Sequence, residues 1–152
     1  MQTLLNTVRN AGANNLAIVG GMGWGYDLSR IPTYHLAGSN IVYDTHPYPY
    51  QDKNPSTWDA SFGKISATYP VISAESGEYD CGTGYMSPLL AYFDAHNIGW
   101  MGWSWVALGS PCSYPQVITN YNGTPTPGLG QLIYQRLRSY LAPPVSSHGN
   151  PS

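Results

Sequence analysis

Charged side chains are scarce in this chain: they make up 9% of its 152 residues, against about 25% in ordinary soluble proteins. The solvent-facing polar groups must therefore come from Asn, Ser, Thr, Gln, Tyr and Gly. With six Lys plus Arg and a formal net charge of −2, the chain lacks the concentrated basic patch that nucleic-acid binding needs. No apolar run approaches the roughly 18 residues of a membrane-spanning helix. The first residues, Met-Gln-Thr-Leu-Leu-Asn, lack the basic region and apolar stretch of a signal peptide. Export would be signalled elsewhere, or the chain would be a piece of a longer precursor. Cysteine is limited to Cys81 and Cys112. Without nearby histidines these two do not make a metal site, and neither a metal nor another cofactor is expected. The secreted-type composition favours a disulfide between them over two free thiols.

Phenylalanine is nearly missing, with 2 residues, whereas Tyr and Trp number 13 and 5. Both combine a flat apolar face with a polar edge, so their excess points to partly wet, ligand-facing aromatics, and sugar rings suit such faces. A length of 152 residues allows one domain with a real core but falls short of a closed α/β barrel, which needs roughly 250.

Periodicity divides the chain into alternating elements. Residues 2–12 read as a helix with Leu4, Leu5 and Val8 on one face and Gly12 as its stop. Asn15–Gly21 reads as a strand buried on both faces, because its apolar run is continuous. A Gly-rich loop, Met22–Asp27, carries Trp24, and Leu28–Leu36 reads as a short helix weakened by Pro32. Asn40–Thr45 is a second strand, with His46-Pro47-Tyr48-Pro49-Tyr50 at its exit. Ser56–Tyr69 is a helix capped by Asn54 or Ser56, with Trp58, Phe62, Ile65 and Tyr69 on its face. Pro70–Gly77 is the third strand. A helix over 84–96 presents Leu89, Leu90, Tyr92 and Phe93, and Ile98–Val106 is a fourth strand. After a long loop, the last helix spans about 128–141, with Leu132, Ile133, Leu137 and Leu141 on one side. Residues 142–152 read as a Pro/Ser-rich linker or disordered tail. This order predicts an α/β fold with a parallel sheet and right-handed crossovers. Four units are too few to close a barrel of eight. Gly20-Gly21-Met22-Gly23 lacks the last glycine of a dinucleotide fingerprint, and no phosphate-binding loop occurs.

The conspicuous side chains all fall just past strand ends: Trp24, His46 with Tyr48, Glu75, and Trp103 with Trp105. In β/α architectures that end of the sheet carries the chemistry. Each residue also has an ordinary structural reading as loop packing, a satisfied loop histidine or a core tryptophan. The run Pro-Val-Ile-Ser-Ala-Glu75 is the most pointed, because a rigid apolar strand delivers a single carboxylate to the lip of the sheet. Ser76 with His46 or His96 offers a serine hydrolase as an alternative, but Gly-x-Ser-x-Gly is absent.

These strand endings resemble the second half of glycoside hydrolase family 5, the cellulase-type (β/α) barrels. Ile-Val-Gly-Gly-Met-Gly-Trp24 resembles the family's fifth strand and its loop, and Tyr-Asp-Thr-His46-Pro-Tyr48 the sixth. Pro-Val-Ile-Ser-Ala-Glu75 resembles the seventh, and Gly-Trp-Met-Gly-Trp103-Ser-Trp105 the eighth. The resemblance runs from residue 1 to about 141 and implies a half TIM barrel, (β/α)4. It implies a retaining endo-β-1,4-glucanase with Glu75 as nucleophile and Tyr48 and His46 as its catalytic companions. Trp24, Trp103 and Trp105 would bind a β-linked polysaccharide or oligosaccharide. The family's Asn-Glu-Pro, which carries the general acid/base, does not occur in this sequence. Glu78 and Asp80 follow Glu75 closely but read as solvated loop carboxylates. A carbohydrate-binding half-barrel without catalysis is therefore the alternative. An open half-barrel leaves two strand edges and an inner face uncovered, which predicts completion by a second copy or by a missing N-terminal half. Family resemblance also implies an extracellular protein.

Overall fold

Four short strands form one parallel sheet in the order β1-β2-β3-β4: Ala17–Gly20, Ile41–Asp44, Val71–Ser76 and Gly99–Gly102. The computed structural model describes residues 1–110 and 114–141. Sequential neighbours pair throughout, as consecutive elements usually do. Register matches Val19 with Tyr43, Tyr43 with Val71, and Ser73 with Trp100. Strand side chains alternate between faces, so these residues share the side on which the helices lie. There Val19, Tyr43 and Val71 join Trp58, Phe62, Leu89, Leu90, Phe93 and Ile133 in one apolar core.

The helices follow the sequence pattern with informative departures. Residues 55–66 form one continuous helical stretch capped by Asn54, whose side chain accepts from the Ser56 N–H. Its middle, Asp59–Gly63, is a π-helical turn. Gly63 lies there directly against Tyr92, leaving no room for a side chain. Met86–Ala95 buries Leu89, Leu90 and Phe93. The expected helix at 28–36 shrinks to Ile31–Tyr34, with Pro32 in its first turn.

Three expectations about burial are corrected. The inner face of β1 is not covered: Ile18 is 49% exposed, as is Met101 on β4. The continuous apolar run of β1 therefore has an opposing layer on one side only. The N-terminal helix, Gln2–Asn10, buries Leu5, whereas Leu4 and Val8 stay exposed. The last helix, Leu129–Leu141, buries Ile133 near its start, whereas Leu137 and Leu141 are exposed. Barrel helices sit between two adjacent strands, and each of these two flanks a sheet edge that has no neighbouring strand here. The expected Cys81–Cys112 bond involves Cys112, and the tail is residues 142–152, so both lie outside the described residues. No helix among the described residues is long and apolar enough to cross a membrane.

Candidate active site

An open groove of about 1100 Å3 runs across the C-terminal ends of the strands. Trp24, His46, Tyr48, Glu75 and Trp103 all line it, so the structure brings together five of the six side chains singled out by sequence. Trp105 is not among the lining residues. The fourth strand was expected to run to Val106, which would put Trp103 and Trp105 on one face. It ends at Gly102, and Trp105 instead lies 65% exposed beside Gly123.

Glu75 reaches the groove because β3 is irregular. Ser73 pairs with Trp100 and Ser76 with Gly102, so β3 advances three residues while β4 advances two. Strict alternation would turn Glu75 toward the helices along with Val71 and Ser73. The extra residue shifts the alternation and turns its carboxylate to the rim, which is what bulges beside active sites do. Ser76 then returns to the covered side, fully buried, with its hydroxyl donating to the Met101 carbonyl at 3.1 Å. That bond and burial occupy Ser76 and remove the basis for a serine nucleophile.

The carboxylate of Glu75 is met from β2's exit loop. Tyr48 Oη donates to Glu75 Oε2 at 3.1 Å. Burial, reinforced by the charge of Glu75, pushes the Tyr48 phenol up, so it remains a proton donor at any ordinary pH. His46 Nδ1 stands 3.8 Å from the same Oε2, while Nε2 is 2.6 Å from Asp44 Oδ2. Asp44 is almost fully buried, and its other oxygen accepts from the Ala74 N–H at 2.8 Å. The Asp44 hydrogen bond raises the His46 pKa above its ordinary value despite partial burial. Asp44 escaped the sequence reading because it looks like one more strand residue; only the register that sets it beside Ile72 shows its role. The offset of two residues between Asp44, the last residue of β2, and His46 just past it is the available signal, since an extended exit keeps i and i+2 on one face.

The walls of the groove come from aromatic loops. Trp103 donates its indole N–H to Tyr114 Oη at 2.9 Å, and its backbone N–H to Ser76 O at 2.8 Å. Tyr50 and Tyr79 meet at a tilt nearby, their hydroxyls 3.4 Å apart. Opposite them, Met22 and Asp27 exchange two backbone hydrogen bonds and close a small loop with Trp24 at its tip, 94% exposed. Gly23 and Trp24 both have positive φ, 58° and 61°. For tryptophan this left-handed conformation costs about 1–2 kcal/mol, so the surrounding structure must impose it. Gly20 and Gly21 line the floor and keep it open.

Glu78 is corrected from a solvated carboxylate to a buried one. Its oxygens accept from the Tyr85 and Met86 N–H groups, both at 3.0 Å, at the start of the Met86–Ala95 helix. A carboxylate satisfied there belongs to the helix end and does not serve as an acid in the groove. Asp80 bonds the Gly82 N–H in a local turn. Among the described residues no cluster of three His, Cys, Asp or Glu could hold a metal ion.

Residues 1–109 match the family model described as cellulase, glycosyl hydrolase family 5. The chain belongs to this family. It is 23% identical over 138 residues to a mannan endo-1,4-beta-mannosidase of Cellvibrio japonicus (strain Ueda107), an alignment covering 85% of this chain and 32% of that protein. A beta-glucanase of Saccharophagus degradans superposes with a TM-score of 0.76 at 24% identity, over 93% of this chain and 46% of the other. The catalytic domain of an endoglucanase from Thermobifida fusca gives 0.68 at 18%, over 90% and 50%. The chain thus spans about a third of that curated relative (32%) and about half of those solved structures (46% and 50%). Its four β/α units correspond to half of the family's TIM barrel.

Proposed function

We propose that this chain is the nucleophile-bearing half of a retaining β-1,4-glycanase, with β-1,4-glucan as substrate. The observation that carries this reading is the arrangement around Glu75: a bulge aims its carboxylate into an aromatic groove, where Tyr48 donates to it at 3.1 Å. A retaining mechanism needs a carboxylate to attack the anomeric carbon, and a hydrogen bond that holds one oxygen leaves the other aligned for attack. Tyr48, which stays protonated, fixes Glu75. His46, anchored on Asp44, places a positive or polarisable group beside the same oxygen. Trp103 supplies a plane for the sugar ring next to the cleaved bond, and Trp24 one for a ring farther along. The Saccharophagus degradans beta-glucanase has been solved with cellotetraose, which is consistent with a β-glucan.

The second carboxylate of such a mechanism should lie about 5–5.5 Å from the nucleophile. With Glu78 committed to a helix end, the groove-lining carboxylates are Asp52 and Glu75, and Asp52 sits exposed on a loop. The acid would then come from a complementary β/α unit across the open inner face, supplied by an N-terminal half or by a second copy. The same observation favours a second reading, a carbohydrate-binding half-barrel that holds sugars without cleaving them. Residues 1–141 would form that half-barrel. A polymeric substrate too large to enter a cell would call for a protein that acts outside it, and a Cys81–Cys112 bond would suit that compartment.

Reducing-sugar release from soluble cellulose distinguishes the readings. Glu75→Gln should lower turnover on the order of 10^4-fold, as loss of a nucleophile does, with cellotetraose binding retained. Binding by wild type without any release of sugar would establish the second reading.

A further inference from the structure

Lys53 lines the groove and is 7% exposed, yet none of the ion pairs among the described residues includes it. Burying an ammonium without a carboxylate is costly unless other groups replace its water. Here the substitutes are specific. Nζ lies 4.9 Å from the Tyr26 ring centroid and 5.5 Å from that of Tyr50, both within cation–π range. Its hydrogen bond runs to the Gly23 carbonyl at 3.4 Å, in the residue just before the left-handed Trp24.

The backbone of Lys53 is itself fixed. Its N–H donates to Tyr50 O at 2.9 Å, and its carbonyl accepts from Tyr85 Oη at 2.8 Å and Trp58 Nε1 at 3.4 Å. Tyr85 in turn donates its N–H to Glu78, three residues past Glu75. Lys53 therefore bridges from a rigid base to the most exposed aromatic of the groove. Other ties from outside the loop hold its C-terminal stem: Thr45 Oγ1 donates to Tyr26 O at 2.8 Å, and the His46 N–H donates to Gly25 O at 3.1 Å. Within the loop the Tyr26 N–H also donates to Gly23 O at 3.4 Å; of these ties from outside the loop, only the lysine's reaches Gly23, beside the tip.

We propose that Lys53 is a positioning residue for Trp24, its ammonium pinning the Gly23 carbonyl so that the indole stands ready to receive a sugar ring of a longer β-linked chain. The part concerning sugar rests on the carbohydrate reading of the groove; the pin itself does not. A neutral side chain of similar length fills the space without donating, whereas arginine keeps both charge and donors.

Amide hydrogen exchange on the free protein tests the pin directly. Lys53→Met should speed exchange across residues 22–27 by about tenfold, the scale of one lost hydrogen bond, with Lys53→Arg close to wild type. Unchanged exchange at 22–27, or an equal rise over the whole sheet, would overturn the proposal. Calorimetric titration with cellotetraose then tests the consequence by a double-mutant cycle. Lys53→Met should weaken binding in wild type and have no further effect on Trp24→Ala. An equal loss in both backgrounds would mean that Lys53 acts on the ligand without Trp24, and would overturn it too. If wild type binds no cellotetraose, the carbohydrate reading fails while the exchange result still decides the pin.

Discussion

Ile18 and Val19 are neighbours on one strand, yet one is 49% exposed and the other 8%. The same contrast separates Met101 from Trp100 on β4, where Met101 is half exposed and Trp100 packs against the core. One face of the sheet is thus closed by helices and the other is open. The difference is not in the residues, which are apolar on both sides. It lies in whether a second layer exists to cover them. On the closed side aromatic rings interlock around one centre: Phe62 meets Tyr26 and Tyr92 edge to face at 5.8 and 5.7 Å, and Phe93 at 6.0 Å. On the open side only the middle is shielded, where Val42 is 7% exposed. The groove follows the rim between these two environments.

The largest expected effect tests whether the closed face alone holds the fold. Phe93→Ala removes a fully buried ring and should cost about 3–5 kcal/mol in urea unfolding. Leu137→Ala, at 50% exposure on the last helix, should stay within about 0.5 kcal/mol. Comparable losses at the two sites would mean that the flanking helix is packed in solution, and would erase the contrast.

Amphipathic patterns reveal which faces a chain is able to bury, not which it does bury. That is why Leu4, Val8, Leu137 and Leu141 read as core although this chain leaves them exposed. The alternation of strands and helices was legible, and with it the strand ends that carry Trp24, His46, Tyr48 and Glu75. Periodicity could not show the bulge that turns Glu75 outward, because one extra residue leaves no mark in a run as short as Val71–Ser76. Nor could it show Asp44 or Lys53. Their roles arise from register and from a loop folding back, both long-range matters. Trp105 pairs with Trp103 only on a strand that runs four residues past Gly102, where β4 ends.

The open face offers the next test. If a complementary layer covers it in solution, wild type should sediment well above its 16.5 kDa monomer mass. Ile18→Lys combined with Met101→Lys should return it to monomer, since each buried apolar side chain contributes roughly 1.5–3 kcal/mol. A folded, monodisperse wild-type monomer would break the pairing idea and leave the open face to a different chain segment.

A smaller effect separates strain from crowding at the rim. Gly25 and Gly109 both have φ of 79°, but a Cβ on Gly25 would lie 2.7 Å from His46 Nδ1, whereas nothing lies within 4 Å at Gly109. Gly109→Ala should cost about 1 kcal/mol for backbone conformation alone. Gly25→Ala should cost about 1–3 kcal/mol and displace His46 from Glu75, seen as a shift of the His46 ring resonances. Equal costs and unmoved resonances would show that the His46 ring has room to give.

The smallest effect concerns how the polar cluster on the open side is held. His46 faces Asp44 and Glu75, which favour its protonated form, and Lys53, which opposes it; the hydrogen bond to Asp44 dominates and the pKa is raised. A histidine whose folded pKa lies above its unfolded value stabilises the fold when protonated. That contribution is fully present below about pH 6.5 and is lost as pH rises through the folded value. Unfolding free energy should therefore fall across that window, with a slope below about 1.4 kcal/mol per pH unit for one proton. His46→Gln should flatten the slope. If stability instead rises over the same window, His46 is held neutral, and the pairing with Asp44 is an ordinary hydrogen bond that leaves no positive charge beside Glu75.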